Sequence, residues 1–365
     1  MLNRKNLYVS WIDAFKGIAI CGVVMIHSGA GGLSSLVGTI GNAGKYGVQL
    51  FLLISAYLAY ASLDRMFGIE YQTINFRTVI PWWRKKIIRI VPLYYLAIVS
   101  ALAIEGTGAR FWLGSYEKVD IWNIASHFLL LHGLNPYYVN SILGGEWYLA
   151  VLVVYYFLAP WLYKYVNTLK RTCIIFGVIT VISYFLNNWA AGLSVIKDEY
   201  IWNDYVRTFW LPAQFPVLIL GGMLYFLLKE LTKVEEKYNF AVSLIALVSA
   251  VVILGCQLFE VSWIFKISRF VTWSIGFMLL IVSQVMKKSH VIDNFVFRKI
   301  GEISYPIYLF HLRFISLYER HIQKGQVYGM AMWSIKYTVV LMCSCIVSIL
   351  LIKCYDAPIR RKLNC

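Results

Sequence analysis

The first apolar stretch, IDAFKGIAICGVVMIHS at 12–28, carries Asp13 and Lys16 near its start and His27 near its end, and the cation and the imidazole are the pair to weigh first. They stand eleven positions apart, which in an α-helix is about three turns and about 16 Å of rise. One helical face therefore carries a cation near its start and an imidazole well along it. The lysine can snorkel to lipid headgroups, and the histidine can bond a neighbouring helix. Ionisable groups inside a membrane are costly, however, and usually face protein or a watery cavity where they have a task.

Three further segments hold reactive types. In WWRKKIIRIVPLYY (82–95), Lys86 and Arg89 are three apart and so are helical neighbours. Such a pair either anchors the chain at a headgroup layer or clamps a phosphorylated ligand, the arginine as a planar fork. In GGEWYLAVLVVYYFLAP (144–160), Glu146 and Trp147 stand at a boundary. The indole suits an interface, and the acid reads equally as a loop acid or as a ligand for sugar hydroxyls or a cation. In GEISYPIYLFHLRF (301–314), Ser304, Tyr308 and His311 recur at helical spacing, Pro306 bends the early turn, and Arg313 lies deep enough to point inward. That density of polar groups favours a cavity lining over a hydrogen-bonded knot.

The elements that must position these residues follow from composition. Of 365 residues, 60% are hydrophobic and only 14% charged, against about 25% charged in ordinary soluble domains. Lipid is the solvent for much of this surface. Apolar runs long enough to span fall at 12–30, 47–64, 88–105, 146–163, 172–188, 212–228, 239–257, 267–286, 302–318 and 333–352. With the N-terminus inside, 22 of the 34 Lys and Arg residues lie on the inner side and 11 on the outer, with Lys16 in the first span. This bias is the one expected of cytoplasmic loops, so the net charge of +16 needs no nucleic acid. The expectation is an all-α polytopic membrane protein, a bundle of about ten transmembrane helices with both termini cytoplasmic. The expectation for domains is a single membrane domain over 1–365 without an appended soluble domain.

Outer segments at about 106–145 and 189–211 are long, and IWNIASHFLLLHGL in the first suits a re-entrant or interfacial helix. Arg4 and Lys5 ahead of the first apolar run resemble a signal peptide, but Asp13, Lys16 and the many later spans favour a retained helix. Seven cysteines without a CxxC pair argue against a disulfide framework and a zinc site. No histidine and acid cluster has metal-ligand spacing.

Taken in order, IDAFKGIAICGVVMIHS, GVQLFLLISAYL, WWRKKIIRIVPLYY, EWYLAVLVVYYFLAP, ISYPIYLFHLRF and YDAPIRR resemble the membrane acyltransferase 3 family, bacterial proteins that acylate, usually acetylate, cell-surface glycans. Family members have Arg, ten residues, then His in the first span, and two Arg three apart in the inner loop. Here Lys16 and Lys86 stand for arginines, and Ser55, Ala56, Tyr57 replaces a Ser-Gly-aromatic triplet. The charges survive, but a bidentate fork does not. The Glu-Glu found within the fourth span of some members is Leu152, Val153 here.

The resemblance implies an acyl-CoA-dependent O-acetyltransferase of the bacterial cytoplasmic (inner) membrane. Lys16, Lys86 and Arg89 would hold the phosphates of acetyl-CoA, Asp13 would orient Lys16, and His27 would act as general base or as an acyl relay. Glu146, Trp147 and His132 would serve the acceptor side, while Ser304, Tyr308, His311 and Arg313 would line the path. Acetyl-CoA is a co-substrate, with no tightly bound cofactor and no metal. The expected partners are acyl-CoA, a glycan or lipid-linked sugar and membrane lipid, with homo-oligomerisation left open. A flippase for a lipid-linked sugar, or an inactive scaffold of a glycan assembly machine, are the alternatives. The absence of an internal repeat weighs against transport.

Overall fold

The computed structural model describes residues 10–108, 113–115, 118–261, 268–323 and 329–358. Of the expected inner charges, Arg4, Lys5, Arg360, Arg361 and Lys362 lie outside these residues, as does Cys365. Among the described residues the chain is helical, and its β-type pairing is one isolated bridge between Gly108 and Lys118.

In chain order the helices are α1 (Ser10–His27), α2 (Leu36–Ala43), α3 (Gly47–Phe67), α4 (Phe76–Glu105), α5 (Ile121–Phe128), α6 (Trp147–Tyr165) and α7 (Leu169–Ala191). They continue as α8 (Glu199–Asp204), α9 (Leu211–Leu231), α10 (Asn239–Leu258), α11 (Arg269–Met286), α12 (Phe295–Glu302), α13 (Ser304–Tyr318) and α14 (Met330–Leu351). Polar side chains start several of them. Asn75 forms a capping box with Thr78, Thr168 accepts from the Arg171 amide, and Asn294 accepts from the Phe297 amide at 2.9 Å.

Nine helical segments among the described residues are long and apolar enough to cross a membrane. The ninth expected span, 302–318, folds as α13, which has 15 residues and falls short of that length. Burial supports lipid as solvent. In α7 only 11% of the apolar window is covered by protein, and Ile174, Val178, Val181, Ile182 and Phe185 are exposed. Such a face is stable in hydrocarbon and not in water. The segment expected at the interface folds as the eight-residue α5, with an inverted pattern: Asn123 and His127 are buried, whereas Ile121 and Trp122 are exposed.

The chain divides into two compact units, residues 1–54 with 228–349 and residues 55–227 with 350–365. In the first, α1 packs closely on α12, and glycine is needed on both sides. A Cβ at Gly17 would lie 2.0 Å from the Phe297 carbonyl oxygen, and one at Gly301 would lie 1.8 Å from that of Asp13. The α10–α11 pair adds a second helix contact, sealed by Ser243 Oγ donating to the Ser283 carbonyl at 3.0 Å. The second unit is built on α4 and α6, where Trp83 Nε1 donates to the Tyr156 carbonyl at 2.9 Å. Asp64 accepts from both Tyr163 and Tyr225 at 2.6 and 2.5 Å.

Candidate active site

In the first unit, α1 carries chemistry at both ends. Near its start the Lys16 ammonium donates to the Asp13 carboxylate at 3.1 Å, the pair being mostly shielded by protein. At its last residue, His27 meets α13. The α1–α12 crossing sets this up. Gly301 seats α12 against the Asp13 backbone, Ser304 Oγ ties the next turn to the Gly301 carbonyl at 2.8 Å, and α13 then carries His311 to His27.

The hydrogen bonds fix the proton positions. His311 Nδ1 lies 2.8 Å from the Tyr308 carbonyl and 3.2 Å from that of Ile307. Carbonyls only accept, so Nδ1 carries the hydrogen and Nε2 carries the lone pair. His27 Nδ1, 3.0 Å away, therefore donates to His311 Nε2. The remaining nitrogen of His27, Nε2, holds a basic lone pair. His311 is 1% exposed, while His27, at the end of α1, is an exposed residue. The exposed histidine is the basic one, and the buried imidazole orients it. Tyr308 packs against His311 with ring centroids 5.9 Å apart and against Phe51 at 6.3 Å. Ser304 and Arg313 are buried on the same helix, at 4% and 5% exposure.

In the second unit, the Lys86 ammonium lies over two rings, 4.9 Å from the centroid of Trp82 and 5.4 Å from that of Tyr156. Arg89, on the same helix, is exposed and close enough to act electrostatically on Tyr148 and Tyr156. Ser55 Oγ is 3.0 Å from the Tyr148 hydroxyl and also bonds Tyr156. This cationic patch with aromatic and hydroxyl groups suits a phosphorylated ligand. Tyr148 and Tyr156 were not singled out from sequence. Their spacing of eight, just over two helical turns in EWYLAVLVVYYFLAP, was the available signal.

Glu146 and His132, expected on the acceptor side, lie in the segment between α5 and α6. Both are closed off, at 1% and 0% exposure. Glu146 Oε1 accepts from the amides of Ile142 and Leu143 at 2.7 and 2.9 Å, and Oε2 accepts from the Gly145 amide at 2.9 Å. The carboxylate thus ties down its own preceding loop. His127, also not singled out, presents Nε2 to Glu146 Oε1 at 3.2 Å and Nδ1 to the Asn123 carbonyl at 2.9 Å. It stacks on His132 at 4.4 Å, and His132 Nε2 donates to the Glu146 carbonyl at 3.2 Å. Burial, and then the adjacent His127, pushes the pKa of His132 down to about 3. Trp147 is 8% exposed and packs on Phe209 at 5.5 Å. These bonds join the loop before α6 to the α5 region.

Known proteins place this architecture. The acyltransferase-domain family matches residues 9–353. A protein of Acidianus two-tailed virus, provisionally named an acetyltransferase, is 24% identical over 85% of this chain and 84% of its own length. A protein of Staphylococcus aureus strain COL, provisionally named an O-acetyltransferase, is 23% identical over 89% of this chain and 53% of its own. The S. aureus O-acetyltransferase OatA is 22% identical over 88% of this chain and 53% of its own. The chain thus spans about half the length of these staphylococcal relatives. No solved structure matches it significantly. With a match that takes in α1, α4, α6 and α13, this multi-pass membrane protein belongs to the acyltransferase family defined by that domain.

Proposed function

We propose that the protein is an O-acetyltransferase that moves an acetyl group from cytosolic acetyl-CoA to a hydroxyl of a cell-surface or lipid-linked glycan. The observation that carries this reading is the His27–His311 pair, which leaves a basic nitrogen on the exposed histidine. His27 Nε2 takes the proton from the acceptor hydroxyl as its oxygen attacks the thioester carbonyl. The tetrahedral intermediate then collapses, the carbon–sulfur bond breaks, and the imidazolium returns the proton to the leaving thiolate. His311 holds the tautomer throughout. The staphylococcal relatives named as O-acetyltransferases support oxygen as the acceptor atom.

Lys16, held by Asp13, and the patch of Lys86 and Arg89 are the donor-side cations in this reading. Each supplies positive charge for phosphate, and Arg89 supplies the planar fork. The membrane is the bacterial cytoplasmic one, with the Lys16 end of α1 facing the cytosol. The reading is tested by measuring acetyl-CoA consumption and glycan labelling in membranes containing wild type or His27→Ala. Transfer by wild type alone supports it, whereas equal transfer by both proteins removes His27 from the chemistry.

A further inference from the structure

Beyond His27, at the same end of α1, the first unit holds an open cleft of about 430 Å³, within the usual size range for small-ligand sites. Gly31, four residues past His27, is part of its wall. Four residues reach at most about 14 Å, so the cleft begins within one short span of the basic imidazole. Close backbone contact fixes that placement, because a Cβ at Gly44 would lie 2.1 Å from the Gly22 carbonyl oxygen.

The lining is suited to a sugar. Tyr46 and Trp273 stack in parallel, 4.7 Å apart and inclined by 14°, and form a fixed aromatic element of the wall. Thr39, Asn42 and Gln257 contribute side-chain donors and acceptors for hydroxyls. Charge adds a preference. Arg269 is paired with Glu260 at 3.3 Å and also bonds the Tyr46 hydroxyl. Glu260 adopts a left-handed backbone with φ 55° as part of the turn that ends α10, where the Val261 amide donates to the Cys256 carbonyl at 2.9 Å. Glu260 stands near both cations, so among the described lining residues Lys45 and Arg269 leave one net positive charge, the Lys45 ammonium lying 5.4 Å from the Tyr46 ring centroid.

The geometry points to an acceptor subsite in this cleft for a glycan unit that carries a carboxylate or phosphate. It rests on the acetyltransferase reading for its role, but the binding itself can be measured without turnover. The glycan unit sits against the aromatic wall, its anion meets Lys45, and a neighbouring hydroxyl extends towards His27 Nε2.

The test uses the full chain in phosphatidylcholine nanodiscs and calorimetric titration with tetragalacturonic acid or maltotetraose. Wild type and His27→Ala are both expected to bind the acidic tetrasaccharide at least tenfold more tightly than the neutral one. Lys45→Gln, an exposed substitution, is expected to cut that preference below threefold. Failure of wild type to bind either sugar overturns the subsite, as does an undiminished preference in Lys45→Gln. Absence of an acidic preference in wild type, with acetyl transfer intact, removes only the subsite. Binding as expected without any acetyl transfer removes only the catalytic reading.

Discussion

His27 Nδ1 and His311 Nε2 lie 3.0 Å apart although 284 positions separate the two residues in the chain. Because His311 Nδ1 is committed to the Tyr308 carbonyl, the contact assigns the proton on His27 to Nδ1 and the lone pair to Nε2. Replacing His311 by Phe removes the acceptor and should lower kcat 10- to 100-fold with little change in either KM. His311→Gln offers an amide oxygen to the same Nδ1–H and should recover most of the rate. A histidine that served packing alone would show no such rescue, so kcat for the two variants decides the matter.

The donor-side patch makes a separate prediction. On the proposed donor role, Lys86→Ala should raise KM for acetyl-CoA about tenfold while kcat falls little, because a phosphate contact contributes mainly uniform binding. Arg89→Lys keeps charge but loses the fork, so it should raise KM less than Arg89→Ala does. Added salt should weaken donor binding in wild type more than in either alanine variant.

The glycine contact between α1 and α12 is a stability prediction. Gly301→Ala puts a methyl 1.8 Å from the Asp13 carbonyl oxygen, a backbone atom that cannot swing away. Separating the helices should cost about 1–3 kcal/mol, seen as a lower melting temperature in detergent. Ala substitution at half-buried Gly255, which has no atom within 4 Å of a Cβ, is the matched control and should change little.

Much of this was legible in sequence, for identifiable reasons. Apolar length and the distribution of Lys and Arg gave the membrane class, since hydrocarbon admits only helices with satisfied backbones or closed barrels. The Asp13–Lys16 pair follows from their three-residue spacing. The His27–His311 bond does not, because pairings between distant helices depend on how the chain folds back, and helical spacing says nothing of that. Glu146 was equally a loop acid and a ligand in the sequence, and only its three amide donors identify it as the fastener of residues 142–145. The span expected at 302–318 shortens to 15 residues because α12 ends at Glu302 and the chain turns at Ile303 before α13 begins.

Buried His132 adds a pH dependence. Unfolding restores its pKa from about 3 to the ordinary 6.5, so between those values the unfolded chain binds the extra proton. Stability should therefore fall as pH falls below 6.5, by about 2 kcal/mol at pH 5 from this group. His132→Asn should flatten the melting temperature between pH 7 and 5 relative to wild type. An unchanged slope would contradict the assignment.

The most direct test of the central claim is transfer of radiolabelled acetate from acetyl-CoA to envelope glycan in membranes containing wild type or His27→Ala. A general base typically contributes 10²- to 10⁴-fold, so His27→Ala should incorporate label at least a hundredfold more slowly at equal protein abundance. Comparable incorporation by the two proteins would show that the lone pair on His27 Nε2 is not the base.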